Sequence, residues 1–187
     1  MGRTHSAFAF PTLFKPTEAV GHPGVGTTIH LATELFKSLA GLDIQPVPYR
    51  SSNYISDVMA GQIDMGFGTP LVALPLAREG KLKALAVTSL QRIAIAPEIP
   101  TMAESGYPAF DITVWFGLMA PARTPPAIIN TIYQHSTRVL NLPEVRKRYA
   151  ELGCEVIGNK PQEFASAIAS EAPRWAKFID KLGLKMD

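Results

Sequence analysis

Three short turns hold the residue types from which a seat for a negatively charged group is built: Gly24-Val25-Gly26-Thr27-Thr28, Tyr49-Arg50-Ser51-Ser52-Asn53 and Gly66-Phe67-Gly68-Thr69-Pro70. Each stands immediately before a run with helical spacing of apolar residues. The first turn of a helix leaves backbone N–H groups unpaired and carries partial positive charge, and glycine lets backbone approach a ligand with no Cβ in the way. The candidate ligand-binding residues are therefore Gly24, Val25, Gly26, Thr27, Thr28, Tyr49, Ser51, Ser52, Gly68 and Thr69. Thr27, Ser52 or Thr69 taken singly is adequately explained as a helix cap. Three such turns in succession point instead to one anion pocket. Hydrogen bonds to a charged group contribute about 1.5–3 kcal/mol each, so a few of them, after ordering costs, suit a reversible binder of micromolar affinity, which needs roughly 8 kcal/mol.

The same residues argue against catalysis. Gly21-His22-Pro23-Gly24-Val25-Gly26-Thr27-Thr28 approaches a phosphate-binding loop, but Thr27 stands where the lysine is required and no acidic magnesium-binding strand accompanies it. The third glycine of a dinucleotide fingerprint is absent, as is the G-x-S-x-G turn of a serine hydrolase. No nucleophile has a base beside it, so the chain does not read as an enzyme and calls for no cofactor. His5, His22, His30 and His135 lack metal-ligand spacing and read as loop or surface residues, and no metal site is expected. Cys154 is the single cysteine, which excludes an internal disulfide. The basic residues are scattered, their densest run, Arg146-Lys147-Arg148, being flanked by Glu144 and Glu151. That is a solvated helix face, and nucleic acid is not an expected partner.

The elements that must position the turns follow α/β grammar from Gly21 onward. Thr28, Leu31, Ala32, Leu35 and Leu39 fall on one helical face within 27–40, and Gly41 supplies the stop. Residues 44–49 read as a strand whose Pro46 and Pro48 cannot donate ladder hydrogen bonds, so that it lies near an edge or ends early. A helix over 52–60 ends at Gly61, a strand covers 63–67, and Thr69 with Pro70 opens a third helix that ends at Gly80. Residues 82–88 read as a strand covered on both faces, 93–100 as a long ordered loop, and 111–119 as a strand with Trp115 and Phe116. In a parallel sheet, right-handed crossovers bring all three turns to the carboxyl edge of the strands, where they converge.

The rest of the chain reads as helices over 126–140, 143–152 and 161–182, the last kinked or divided by Pro173. With 187 residues, 47% of them hydrophobic, 18% charged and a net charge of +2, there is material for one sizeable α/β lobe and part of another. No stretch approaches the roughly 18 apolar residues of a membrane span. Residues 1–14 carry no secretory signal, their apolar patch being cut short by Pro11.

Several strings of residues resemble the Bug-type (TctC-like) binding proteins of tripartite tricarboxylate transporters. They are Gly24-Val25-Gly26-Thr27-Thr28-Ile29-His30-Leu31, Val47-Pro48-Tyr49-Arg50, Gly61-Gln62-Ile63-Asp64, the run from Gly80 to Thr88, Pro100-Thr101-Met102-Ala103-Glu104-Ser105-Gly106, Trp115-Phe116-Gly117-Leu118, Ala120-Pro121-Ala122-Arg123-Thr124-Pro125 and Arg174-Trp175. The resemblance implies a periplasmic binding protein of type II fold that closes over small carboxylates, often di- or tricarboxylates, and hands them to the membrane components of the transporter. It implies three segments: 1–20 outside the family pattern, 21–113 as the complete second lobe, and 114–187 as a hinge strand with the C-terminal helices of the first lobe. By the same resemblance the turn at 24–28 holds one carboxylate and the other two turns line the cleft. Trp115 and Phe116 would be core or hinge packing. The third turn has no acid, which disfavours amino-bearing ligands, and Asp64 reads as structural. The family's N-terminal half-lobe is not matched, so the alternative is a truncated relative that has lost solute binding and serves as an interaction or structural module. The apolar stripes Ile128, Ile129, Ile132, Tyr133, Val139 and Phe164, Ile168, Trp175, Phe178, Leu182 then call for a cover, expected to be a second copy in a homodimer, with helices swapped through the connector at 121–126.

Overall fold

A computed structural model of the chain describes residues 17–51 and 53–183. They form two compact units, one ending at Val114 and the other beginning at Trp115. The first contains β1 (Thr17–His22), α1 (Thr28–Ala40), β2 (Asp43–Pro48), α2 (Tyr54–Met59), β3 (Met65–Gly66) and α3 (Pro70–Arg78). The three strands make one parallel sheet in the order β2-β1-β3. Thr17 lies opposite Asp43 and His22 opposite Pro48, while Val20 lies opposite Met65 and Gly21 opposite Gly66. β2 is an edge strand, as its prolines require.

β1 begins four residues before the first α/β unit expected at Gly21, so Thr17, Glu18, Ala19 and Val20 belong to the central strand. The run gave no apolar signal because Glu18 is polar yet buried. α1 forms where the 3.6-residue spacing says it should. Its Leu31, Ala32 and Phe36 are buried, Thr27 caps it, and Gly41 ends it at φ 64° with its N–H on the Lys37 carbonyl. Phe36 contacts Tyr107 edge to face at 5.3 Å and Phe110 at 6.4 Å, and Phe67 stacks on Phe110 at 5.9 Å. Burying a side chain of that size stabilises by about 1.5–3 kcal/mol, so this aromatic cluster anchors α1 to the loop that follows α3.

Two expected strands do not form among the described residues. Over 82–88 the only ladder contact is a single parallel bridge from Val87 to Thr101, where the Val87 N–H donates to the Pro100 carbonyl at 2.8 Å and the Met102 N–H to the Val87 carbonyl at 2.9 Å. Apolar content promised burial there, but pairing needs a neighbour of matching length, and β3 has two residues. Over 111–119 one backbone bond remains, Ile112 N–H to the Thr88 carbonyl at 3.2 Å. α2 and α3 are shorter than expected, ending at Met59 and Arg78. The loop at 93–100 is ordered as expected, with Ala96 and Ile99 buried beside Leu74 of α3.

The second unit holds α4 (Pro126–Leu140), α5 (Pro143–Glu151) and α6 (Pro161–Leu182), each opened by a proline at its first position. α6 runs through Pro173 without dividing. Within this unit the Trp115 ring meets Phe164 of α6 edge to face at 5.1 Å, and Gly117 lies so close that a Cβ there would collide with the Phe164 ring. Of the two residues expected in core or hinge packing, Trp115 packs on Phe164 while 43% exposed, and Phe116 is 87% exposed and lies outside the core. No residue of α4, α5 or α6 is buried. Among the described residues no helix is long and apolar enough to cross a membrane.

Candidate functional site

β1 lies between β2 and β3, and the three strands are parallel, so the turns that leave their carboxyl ends emerge along one edge of the sheet, with the turn at 23–27 in the middle. Gly24 and Gly26 adopt φ of 146° and 78°, values at which a side chain is strained. Thr27 at the cap donates its hydroxyl to the Gly24 carbonyl at 2.7 Å and accepts the His30 N–H at 3.3 Å. The Thr27 hydroxyl is thus used within the scaffold. The N–H groups of Thr28 and Ile29 have no acceptor among the described residues, and Val25 is exposed beside them. These first-turn amides, at the positive end of a thirteen-residue helix, are the donors an anion would meet.

Beneath the loop lies a feature the sequence did not announce. His22, at the end of β1, and His30, on α1, were expected at the surface and are 1% and 4% exposed. Their rings lie 4.4 Å apart between centroids. His22 Nδ1 lies 3.1 Å from the Gly24 carbonyl and 3.4 Å from the Gly24 nitrogen, while the Gly26 N–H donates to His30 Nδ1 at 3.1 Å. Burial, and then the neighbouring His22, hold the His30 imidazole below its ordinary range near 6.5. Their spacing of eight residues fits no side-chain periodicity, and only the close packing of α1 on β1 brings them together. His135 on α4 is exposed as expected, and His5 lies outside the described residues. Among the described residues there is no group of three or more side chains arranged to hold a metal.

The second turn is tied to the first by the Tyr49 N–H, which donates to the His22 carbonyl at 2.8 Å. The Tyr49 hydroxyl donates to Asp57 Oδ2 at 2.6 Å, and this bond above all, with desolvation and the Asp57 charge, raises its pKa. Tyr49 therefore offers the site its ring and not a free hydroxyl. Ser51 is exposed and its Oγ accepts the Asn53 N–H at 3.4 Å. Ser52 lies outside the described residues. Asn53 occupies the cap position of α2 without a side-chain cap bond, and that helix has six residues, so it supplies fewer aligned peptide dipoles than expected.

The third turn is held by Tyr54, a residue sequence reasoning passed over. It is 2% exposed and its hydroxyl donates to the Phe67 carbonyl at 2.7 Å. Burial raises its pKa. Its side chain fits only because β1 and β3 present glycine opposite glycine: a Cβ on Gly21 would lie 2.5 Å from the Tyr54 Cβ and 2.6 Å from Ile63 Cδ1, and one on Gly66 3.0 Å from the Tyr54 ring. That pair of glycines was the available signal for a large buried neighbour. Gly68 and Thr69 are exposed, and Thr69 stands at the α3 cap position with no side-chain cap bond. Its hydroxyl is uncommitted, in contrast to that of Thr27. Asp64 accepts the Ala19 N–H at 2.8 Å and its own N–H donates to the Ala19 carbonyl at 3.1 Å, which bears out its structural reading.

In open parallel α/β sheets ligands bind at the carboxyl edge of the strands, and solved structures of periplasmic binding proteins are similar to this chain. A protein of R. palustris solved with adipate is 30% identical with a TM-score of 0.79, covering 89% of this chain and 56% of its own. The periplasmic binding protein BugD is 28% identical with a TM-score of 0.78, covering 91% and 58%. MatC from Rhodopseudomonas palustris with bound malate is 28% identical with a TM-score of 0.71, covering 87% and 56%. The sequence profile of the tripartite tricarboxylate transporter family receptor matches residues 17–184, and the chain belongs to that family. BugT of Bordetella pertussis is 34% identical over 163 residues, 87% of this chain and 50% of BugT. A protein of Pseudomonas sp. (strain P51) from the tcbD-tcbE intergenic region is 35% identical over 158 residues, 83% of this chain and 47% of the relative. The chain thus spans about half the length of these curated relatives. Receptors of this family are solute-binding proteins and not enzymes.

Proposed function

We propose that the chain is the ligand-binding part of a periplasmic solute-binding protein that takes a small carboxylate, a di- or tricarboxylate, and presents it to the membrane components of a tripartite tricarboxylate-type transporter. The observation that carries this is the uncommitted first turn of α1, its Thr28 and Ile29 N–H groups open beside the Tyr49 and Thr69 turns. The adipate and malate in the neighbours' structures support the same ligand class. One carboxylate is seated at Gly24, Val25, Gly26, Thr27 and Thr28, with Tyr49, Ser51, Gly68 and Thr69 along the same edge. In this seat Thr27 shapes the loop and Thr69 contributes a hydroxyl. The chain spans about half the length of most relatives, and the affinity of these 187 residues by themselves is expected nearer millimolar than micromolar, at least about a hundredfold below that of a full-length relative.

Calorimetry of adipate, malate and nucleotide with magnesium against the 187-residue chain tests the reading. Heat from a dicarboxylate, abolished by Thr69→Ala with Gly68→Val, is expected. Binding of the nucleotide and of no carboxylate would overturn it. The exposed Ile128, Ile132 and Val139 of α4 support a homodimer that covers them, swapped through the connector at 121–126. Light scattering after size exclusion is expected to give twice the chain mass, and a monodisperse monomer would refute that assembly.

A further inference from the structure

The buried histidine pair under the loop is more than packing. His30 Nδ1 accepts the Gly26 N–H, so the imidazole carries its single proton on Nε2, which faces Glu34 Oε1 at 3.8 Å. Gly26 sits at φ 78°, a conformation that glycine enters freely and other residues do not, and its amide is held there by His30. His22 is different. Its Nδ1 is nearer the Gly24 carbonyl than the Gly24 nitrogen, and as a donor to that carbonyl it keeps its bond whether it carries one proton or two.

We infer that His30 is the positioning residue of the 24–28 loop: it latches Gly26 through an acceptor nitrogen, and a second proton on the ring removes the acceptor, so the loop's hold on a carboxylate weakens on acidification. The inference rests on the reading of this loop as the carboxylate seat. Protonation at Nδ1 would set two donors against each other at the present 3.1 Å, and the loop must open. The titratable groups around the pair are Glu34 on α1, His22 on β1, and Tyr49 beyond β2 with Asp57 behind its hydroxyl. Glu34 favours the imidazolium. Burial above all, and then His22, oppose it, and together these keep the latch closed at neutral pH and place its opening below the ordinary histidine range near 6.5.

The test uses the 187-residue chain uniformly labelled with nitrogen-15, its histidine ring nitrogens and the Gly26 amide followed by NMR from neutral pH to about pH 5, with adipate affinity measured across the same range. His30→Asn offers an amide oxygen near the place of Nδ1 and does not titrate, and His30→Gln serves if that variant fails to fold. In the ligand-free protein the Gly26 amide resonance is expected to move with the midpoint of His30 Nδ1, and to stay fixed in the Asn variant. The ratio of wild-type to variant affinity, which cancels protonation of adipate itself, is expected to fall about tenfold, the worth of one hydrogen bond. A Gly26 amide indifferent to His30 titration overturns the latch. So does an affinity ratio that stays constant, or one that rises because the imidazolium attracts the carboxylate. If Gly26 follows His30 but no carboxylate binds at any pH, the latch stands and the functional reading falls.

Discussion

Replacing Thr27 by alanine removes two bonds at once: the hydroxyl donated to the Gly24 carbonyl at 2.7 Å and the oxygen that accepts the His30 N–H at 3.3 Å. Loss of an N-cap oxygen costs about 1 kcal/mol, with a range of about 0.5–2. The Gly24 carbonyl is half-exposed and can turn to water, so its lost bond adds a few tenths. A total of about 1–2 kcal/mol shifts the melting temperature of a chain of this size by roughly 2–8 °C. Because the loop loses the hydroxyl that ties Gly24 to the start of α1 and keeps only its His22 and His30 contacts, it samples other shapes and adipate affinity is expected to fall about tenfold. Thr27→Ser keeps the oxygen and restores both quantities to within about 0.5 kcal/mol. Scanning calorimetry gives the first quantity and titration calorimetry the second. An alanine variant that loses affinity while melting normally would refute the reasoning, since the hydroxyl would then be a direct ligand donor and not a cap. One that loses neither would show that the loop keeps its shape without it.

Gly21→Ala forces a Cβ to within 2.6 Å of Tyr54 and Ile63, and chemical denaturation is expected to show a loss of about 1–3 kcal/mol. Thr69→Ala removes a hydroxyl that makes no cap bond, so stability should change by less than about 0.5 kcal/mol while carboxylate affinity falls severalfold by calorimetry. The Thr101 N–H first, and then Arg92, hold the Glu104 carboxyl below its ordinary value of 4.5. Its contribution is present in full above that value and lost as pH falls through the depressed one, so Glu104→Gln should flatten the acid limb of a stability-versus-pH curve below about pH 4.5.

α1 and the edge position of β2 were legible because a 3.6-residue stripe, a capping threonine, a terminal glycine and two prolines are local signals. The glycine and threonine turns of the site were legible for the same reason. The run over 82–88 was misread because hydropathy reports burial, whereas a ladder depends on a neighbour whose length no local pattern encodes. The start of β1 escaped because its Glu18 is buried. His22, His30 and Tyr54 escaped because each owes its place to a residue distant in sequence or to a glycine that leaves it room. Sequence pattern thus located the turns at the sheet edge and missed the buried residues beneath that hold them.

The hydroxyls at this edge divide into two kinds. Those of Thr27, Tyr49 and Tyr54 are spent on Gly24, Asp57 and Phe67, whereas Thr69 stands exposed with no such duty. If Thr69 meets the ligand as proposed, a substitution there would change what is recognised without unsettling the strands below, whereas a substitution at Tyr54 would disturb them. On the proposed function, such a separation would let single exposed steps change the carboxylate that is taken while the scaffold below stays unaltered.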